Sequence, residues 1–165
     1  MEFRRVLFRS KLGVSRIVVD SIQEISRVQE IASRLGKSQK VLIRITPGVE
    51  AHTHEAISTA HEDVKFGLSI ATGAAWKAIE LIEASSNLSL QGFHCHIGSQ
   101  IFNTEGYEIA IKRIVELNAK FRDSFNRELS EFDIGGGFGI AYLPDETTMD
   151  PDAALAKLSK VIKTE

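Results

Sequence analysis

A chain of 165 residues, 43% hydrophobic and 25% charged, is long enough for one ordinary domain with a real core and has a globular composition. Its formal net charge of -2 gives no electrostatic reason for a nucleic-acid or anionic-membrane partner, and no apolar run approaches the roughly 20 residues that span a bilayer. The one cysteine, Cys95, has no internal partner for a disulfide, so the cytoplasm is the expected compartment.

In chain order, the start carries only the short apolar patch Val6 to Phe8, too little for a signal-peptide core. Residues 16–20 read as a brief β-branched strand. Ser21 with Glu24 forms a capping box, and Ile22, Ile25, Val28, Ile31 and Leu35 keep helical spacing until Gly36. Residues 41–45 form a second strand with Arg44 inside it. A charge there demands a partner, either an anionic ligand facing the interior or a structural ion pair. Residues 47–67 are long for a connection, which predicts function or short structure of their own. Thr72 is the expected cap of a helix carrying Ala75, Trp76, Ile79 and Ile82. Residues 88–97 give a third strand. Thr104 opens a long helix with Tyr107, Ile111, Ile114, Leu117, Phe121 and Phe125 on its apolar side. Residues 132–134 form a fourth strand running into Gly135, Gly136 and Gly137. Asp150 then caps a helix with Pro151 at its first position.

Strand-then-helix units in series predict an α/β fold with a parallel sheet. A doubly wound open sheet and part of a (β/α)8 barrel, which takes about 250 residues when complete, both fit the periodicity. Polar strand residues favour the barrel, because His94, His96 and Arg44 are too polar to lie beneath a second helical layer. The strands are then expected to pair in chain order, with helices outside and unpaired edges that promote association.

The sharpest chemical signal is the run from Gly92 to Gln100. Strand alternation places His94 and His96 on one face and Cys95 on the other, near a strand end followed by Gly98 and Ser99. The second signal is Gly135-Gly136-Gly137 at another strand end. Consecutive glycines suit either a tight turn or a phosphate held by backbone N–H groups. Together the two strand ends point to a phosphorylated aromatic cofactor. His52 and His54 raise a zinc alternative when taken with His94 and His96. However, they fall in a predicted loop, and Asp133 stands before its strand's end, at the wrong depth for a ligand. No metal is therefore expected.

These residues, taken together, resemble the fold type III PLP-dependent decarboxylases, a family acting on diaminopimelate, ornithine and arginine. The matching pieces are Ile17-Val-Val-Asp-Ser21, Arg44-Ile-Thr-Pro-Gly48, Ala51-His-Thr-His54, Lys65-Phe-Gly67, His94-Cys-His-Ile-Gly-Ser-Gln100 and Asp133-Ile-Gly-Gly-Gly137. The Ala51 to His54 and His96 to Gln100 segments look most like the diaminopimelate branch. The resemblance implies a partial (β/α)8 TIM-type barrel of the alanine racemase-like kind, about four βα units, binding pyridoxal 5'-phosphate. It implies that His96 stacks on the cofactor ring as the catalytic residue, with Ser99, Gly135, Gly136 and Gly137 holding the phosphate. Arg44 joins the set as a candidate contact to the anionic cofactor. The implied reaction turns meso-diaminopimelate into L-lysine and CO2, with an amino-acid substrate and a homodimer whose active sites lie at the interface.

Residues 1–10 do not resemble the family and are expected to be a non-native start joined to a partial barrel over residues 11–165. The family's lysine that bonds to the cofactor lies on an earlier strand, and its Glu-Pro-Gly-Arg segment and C-terminal β-domain lie further on. A fragment inactive by itself is the expectation. Two alternatives stay open: a non-catalytic half-barrel that binds pyridoxal phosphate or phosphate, and a metal-dependent barrel hydrolase using the paired histidines.

Overall fold

The computed structural model describes residue 9 and residues 11–49, 66–143 and 148–164. Residues 1–8 and 10 of the expected non-native start, His52 and His54, and Lys65 lie outside the described residues. The described residues fall into two compact units: residues up to 45 with 66–94 and 129–133, and residues 46–49 with 95–128, 134–143 and 148–164.

The first unit is a parallel sheet with two helices. Its elements are β1 (Ile17–Val19), α1 (Ile22–Arg34), β2 (Gln39–Thr46), β3 (Leu68–Ser69), α2 (Ala74–Glu83), β4 (Leu88–His94) and β5 (Glu131–Asp133). The four expected strands pair in chain order, β1-β2-β4-β5, each pair parallel, while the short β3 pairs with β2 off that path. Registered partners share a face. Val19, Ile43 and Phe93 form one row, each fully buried, and Phe93 stacks on Phe132 of the next strand. Helices α1 and α2 pack against each other and against β4, with Ile25, Val28, Ile31, Ala75, Ile79 and Ile82 buried. On the opposite face Arg44, His94 and Asp133 form a second registered row at the strands' C-terminal ends.

That second face is concave. Three interstrand spacings separate β1 from β5, about 14 Å in a flat sheet. Yet Arg16, just before β1, donates through Nε to both carboxylate oxygens of Glu131 at 2.8 and 2.7 Å. A side chain from each outer strand meets the other only if the sheet curls. The Arg16 hydrogen bond holds the Glu131 carboxyl below its ordinary range and raises the guanidinium in turn.

Local signals held with two changes. Ser21 Oγ accepts from the Glu24 N–H at 3.2 Å, but the Glu24 carboxylate accepts from Asp20 N–H at 3.0 Å, one residue before the reciprocal position of a capping box. The expected Thr72 cap is corrected to Gly73, which has φ +79; its Thr72 neighbour instead donates its N–H to Ser69 Oγ. The chain enters α2 through a left-handed turn that glycine adopts without a Cβ penalty, and this turn takes the cap position.

The third strand is shorter than expected. It ends at His94, because the ladders to β2 and β5 end at Arg44 and Asp133, leaving later residues without strand neighbours. Alternation therefore stops before His96, and the expected shared face of His94 and His96 is withdrawn. The fourth strand runs from Glu131 to Asp133 and not over residues 132–134, so Asp133 is its last residue. The depth argument made against it from sequence does not hold.

The second unit is built on α3 (Glu105–Phe125) and α4 (Pro151–Thr164), which pack together. Asp150 Oδ1 accepts from the N–H groups of Asp152 and Ala153 at 3.0 and 3.3 Å, with Pro151 at the first helical position, as the sequence predicts. Thr104 precedes α3, but its hydroxyl donates to Glu108 Oε1 at 2.6 Å and does not cap the backbone. Lys157 of α4 donates to Thr104 Oγ1 at 2.8 Å and lies 2.7 Å from Glu108 Oε1. Hydrogen bonds from Lys157 and then Thr104 hold the Glu108 carboxyl below its ordinary range.

A carboxyl with a lowered folded pKa stabilises above its unfolded value, about 4.3, and that contribution is lost as pH falls through the folded value. Glu108→Gln is therefore expected to lower the neutral-pH melting temperature and to converge with the wild type in acid. Because the Lys157 side chain is 58% exposed, the effect should stay below about 1 kcal/mol. A gap between the two proteins that persists at low pH would contradict this.

Candidate functional site

In the second unit the loop after β4 meets the loop after β5. Ile101 N–H donates to Gly137 O at 2.9 Å, and Gly139 N–H donates to Ile101 O at 2.8 Å, across an isolated parallel bridge between Ile101 and Phe138. Gln100 completes the lock with its side chain, donating to Ile140 O at 3.2 Å and accepting from Ile140 N–H at 3.1 Å. The two loops are thereby fixed edge to edge.

This closeness explains two of the three glycines. A Cβ on Gly135, at φ +75, would stand 2.4 Å from Cys95 O; one on Gly137, at φ +103, would stand 2.0 Å from Gly98 O. Both positions therefore require glycine for backbone approach and left-handed φ, whatever the loop binds. Gly136 differs: its Cβ would meet nothing within 4 Å, and its φ lies outside the left-handed region. Backbone approach alone thus accounts for glycine at positions 135 and 137, whereas at Gly136 it does not.

The same approach gathers the expected site residues of this unit. A Cβ on Gly135 would lie 3.3 Å from His96 Nδ1, and one on Gly137 would lie 3.3 Å from Ser99 Cα. His96, Ser99 and Gly136 are exposed, whereas Cys95 between the strand and the loop is fully buried. The N–H groups of Gly136 and Gly137 and the Ser99 hydroxyl make no hydrogen bond to the protein among the described residues. Adjacent unspent main-chain donors with a hydroxyl are the donor set an anion such as phosphate takes.

One polar side chain of this region was not singled out from sequence. Tyr107 of α3 is fully buried, its ring 5.4 Å from that of Phe138, and its hydroxyl donates to Gly136 O at 3.0 Å. Burial, and then the nearby Cys95 thiol, raises the Tyr107 hydroxyl above its ordinary pKa, so it stays protonated as a donor. Helical spacing placed Tyr107 in the apolar stripe. The available signal was its phenol, which needs a partner when buried.

Arg44, His94 and Asp133 belong to the first unit. Arg44 Nη1 lies 3.8 Å from Asp20 Oδ2, and its guanidinium stands 5.0 Å from the Phe66 ring centroid. The half-buried charge thus has structural partners inside the protein. His94 Nδ1 lies 2.9 Å from Asp133 Oδ2 without meeting hydrogen-bond geometry. Among the described residues no group of three His, Cys, Asp or Glu side chains converges as a metal site. Among them also no helix is long and apolar enough to cross a membrane.

Residues 4–165 match the family described as pyridoxal-dependent decarboxylase, pyridoxal binding domain. Diaminopimelate decarboxylase of Mycobacterium leprae is 49% identical over 159 residues, which cover 94% of this chain and 34% of that protein. The Bacillus subtilis protein of the same name is 42% identical over 159 residues, covering 96% of this chain and 36% of its own length. Among solved structures, diaminopimelate decarboxylase of M. jannaschii in co-complex with L-lysine gives a TM-score of 0.84 at 28% identity, over 98% of this chain and 38% of that one. The Helicobacter pylori enzyme complexed with L-lysine gives 0.83 at 28% identity, over 98% and 40%. This chain thus spans about a third of the length of the curated relatives it matches. Its parallel α/β fold is that of part of a pyridoxal-binding barrel.

Proposed function

Because this chain belongs to the pyridoxal-dependent decarboxylases, matching their pyridoxal binding domain, we propose that it holds pyridoxal 5'-phosphate for the decarboxylation of an amino acid. The observation that carries the reading is the unspent donor set, Gly136 N–H, Gly137 N–H and Ser99 hydroxyl, beside the exposed imidazole of His96. These groups fit the cofactor's phosphate, and Gly135 contributes by admitting the backbone approach that sets His96 in place. His96 takes the pyridine ring and is the catalytic residue. When bound, the cofactor supplies the electron sink that lets a carboxylate leave as CO2. The residues here position it and exclude other orientations.

The relatives' names make meso-diaminopimelate the proposed substrate and L-lysine with CO2 the proposed products. Since the chain spans about a third of those relatives, its own part is the cofactor site, and turnover belongs to the assembly that completes it. That assembly is proposed to be a soluble homodimer of the cytoplasm, to which this chain supplies part of the barrel.

Ser99→Ala tests the reading. Removing one hydrogen bond to a charged phosphate should weaken pyridoxal phosphate binding by about tenfold or more. The exposed position should leave the unfolding free energy within about 0.5 kcal/mol of the wild type. Unchanged affinity in Ser99→Ala would contradict the assignment of the phosphate to this loop pair.

A further inference from the structure

We infer that Tyr107 is a positioning residue for the cofactor's phosphate: its hydroxyl fixes the peptide plane between Gly136 and Gly137 so that Gly137 N–H faces the anion. The inference rests on the cofactor reading above and adds a residue that touches neither cofactor nor substrate.

The carbonyl of Gly136 and the N–H of Gly137 belong to one planar, trans unit, and they point in opposite directions. Whatever holds the carbonyl therefore aims the N–H. Here the carbonyl accepts from the Tyr107 hydroxyl at 3.0 Å, and Tyr107 is fully buried. The carbonyl is drawn inward, so the N–H turns outward, where it has no protein acceptor among the described residues.

Such a plane needs holding. Rotating it changes ψ of Gly136 and φ of Gly137, both glycines, for which most of backbone space is open at little steric cost. At φ +103, Gly137 already sits where an L side chain is rare, and a flip would carry it to ordinary negative φ. Without an anchor the two orientations compete. The next carbonyl holds a different peptide plane, since Gly137 O is committed to Ile101 N–H at 2.9 Å. Tyr107 is itself held in the first turn of α3, fully buried and packed on Phe138. The long helix thus carries a buried donor to the middle of the glycine run, and a buried phenol that is kept protonated is the donor type suited to a neutral carbonyl.

A residue that merely supported the fold would affect all ligands alike, whereas one that aims a phosphate donor would affect only ligands bearing phosphate. The test is calorimetric titration of the 165-residue protein and its Tyr107→Phe variant with pyridoxal 5'-phosphate and, separately, with pyridoxal. Tyr107→Phe is expected to bind pyridoxal phosphate roughly tenfold more weakly and pyridoxal within about twofold of the wild type. Unchanged pyridoxal phosphate affinity, or equal weakening for both ligands, would overturn the inference. A wild-type protein that binds neither ligand would instead overturn the cofactor reading, and this inference with it. Should the variant lose its melting transition, glycine-labelled wild-type protein decides the matter. Inorganic phosphate should then shift the Gly137 amide resonance, and an unshifted Gly137 beside shifted resonances elsewhere would overturn the inference.

Discussion

Gly92→Ala is expected to destabilise the protein by about 3 kcal/mol or more, read as a large drop in the urea midpoint. Gly92 is buried in β4 and registered against Glu131, and a Cβ there would stand 1.7 Å from the Glu131 carbonyl oxygen. The obstructing atom is backbone, so no rotamer change relieves it. Strand β5 must move away. Leaving with it are the Arg16–Glu131 fork, which spans the curled face, and the His94–Asp133 contact at the other end. Relaxation confined to the strand would reduce the cost. An unfolding free energy within about 0.5 kcal/mol of the wild type would show that β5 is not held against β4 as closely as their register indicates.

Gly137→Val should be nearly as damaging, by about 3–5 kcal/mol, and its cause lies in the fold whatever the loop binds. The valine Cβ meets Gly98 O at 2.0 Å, and the residue must hold φ +103, where a β-branched side chain is strained. Thermal melting by circular dichroism should show loss or broadening of the transition. Loss of cofactor binding in this variant would therefore carry no information about the phosphate. Gly136→Ala provides the contrast, because its Cβ enters open space at an unstrained φ. It should keep the wild-type transition within about 0.5 kcal/mol while changing only what the loop's outer side contacts. Equal damage at both positions would contradict the distinction between them.

The helices were largely legible from sequence because their determinants are local. Ser21, Gly36, Asp150 and Pro151 act within one turn of chain, and the apolar spacing of α1 and α3 needs only the 3.6-residue period. The strand order followed from the same alternation, since short strand–helix connections leave few parallel topologies. What stayed hidden depends on partners distant in sequence. The end of β4 at His94 is set by where β2 and β5 stop, not by any breaker, for Cys95-His-Ile continues the apolar pattern of a strand. The two residues of β3 are too few to show a period. Gly135 and Gly137 look alike with Gly136 in the sequence, and only the approach of Cys95 and Gly98 separates them. Arg44 was correctly marked as needing a partner, but Asp20 and Phe66 are brought to it by β1 and by the segment before β3. Tyr107 shows the limit of periodicity most clearly, since a tyrosine and a phenylalanine occupy the same place in an apolar stripe.

The central claim, that the loops after β4 and β5 hold pyridoxal phosphate, is tested most directly by a crystal structure of the protein with that cofactor. The phosphate should lie within hydrogen-bonding distance of Gly136 N–H, Gly137 N–H and Ser99 Oγ, with the pyridine ring against His96. A cofactor bound elsewhere, or a phosphate with none of those three donors, would contradict it.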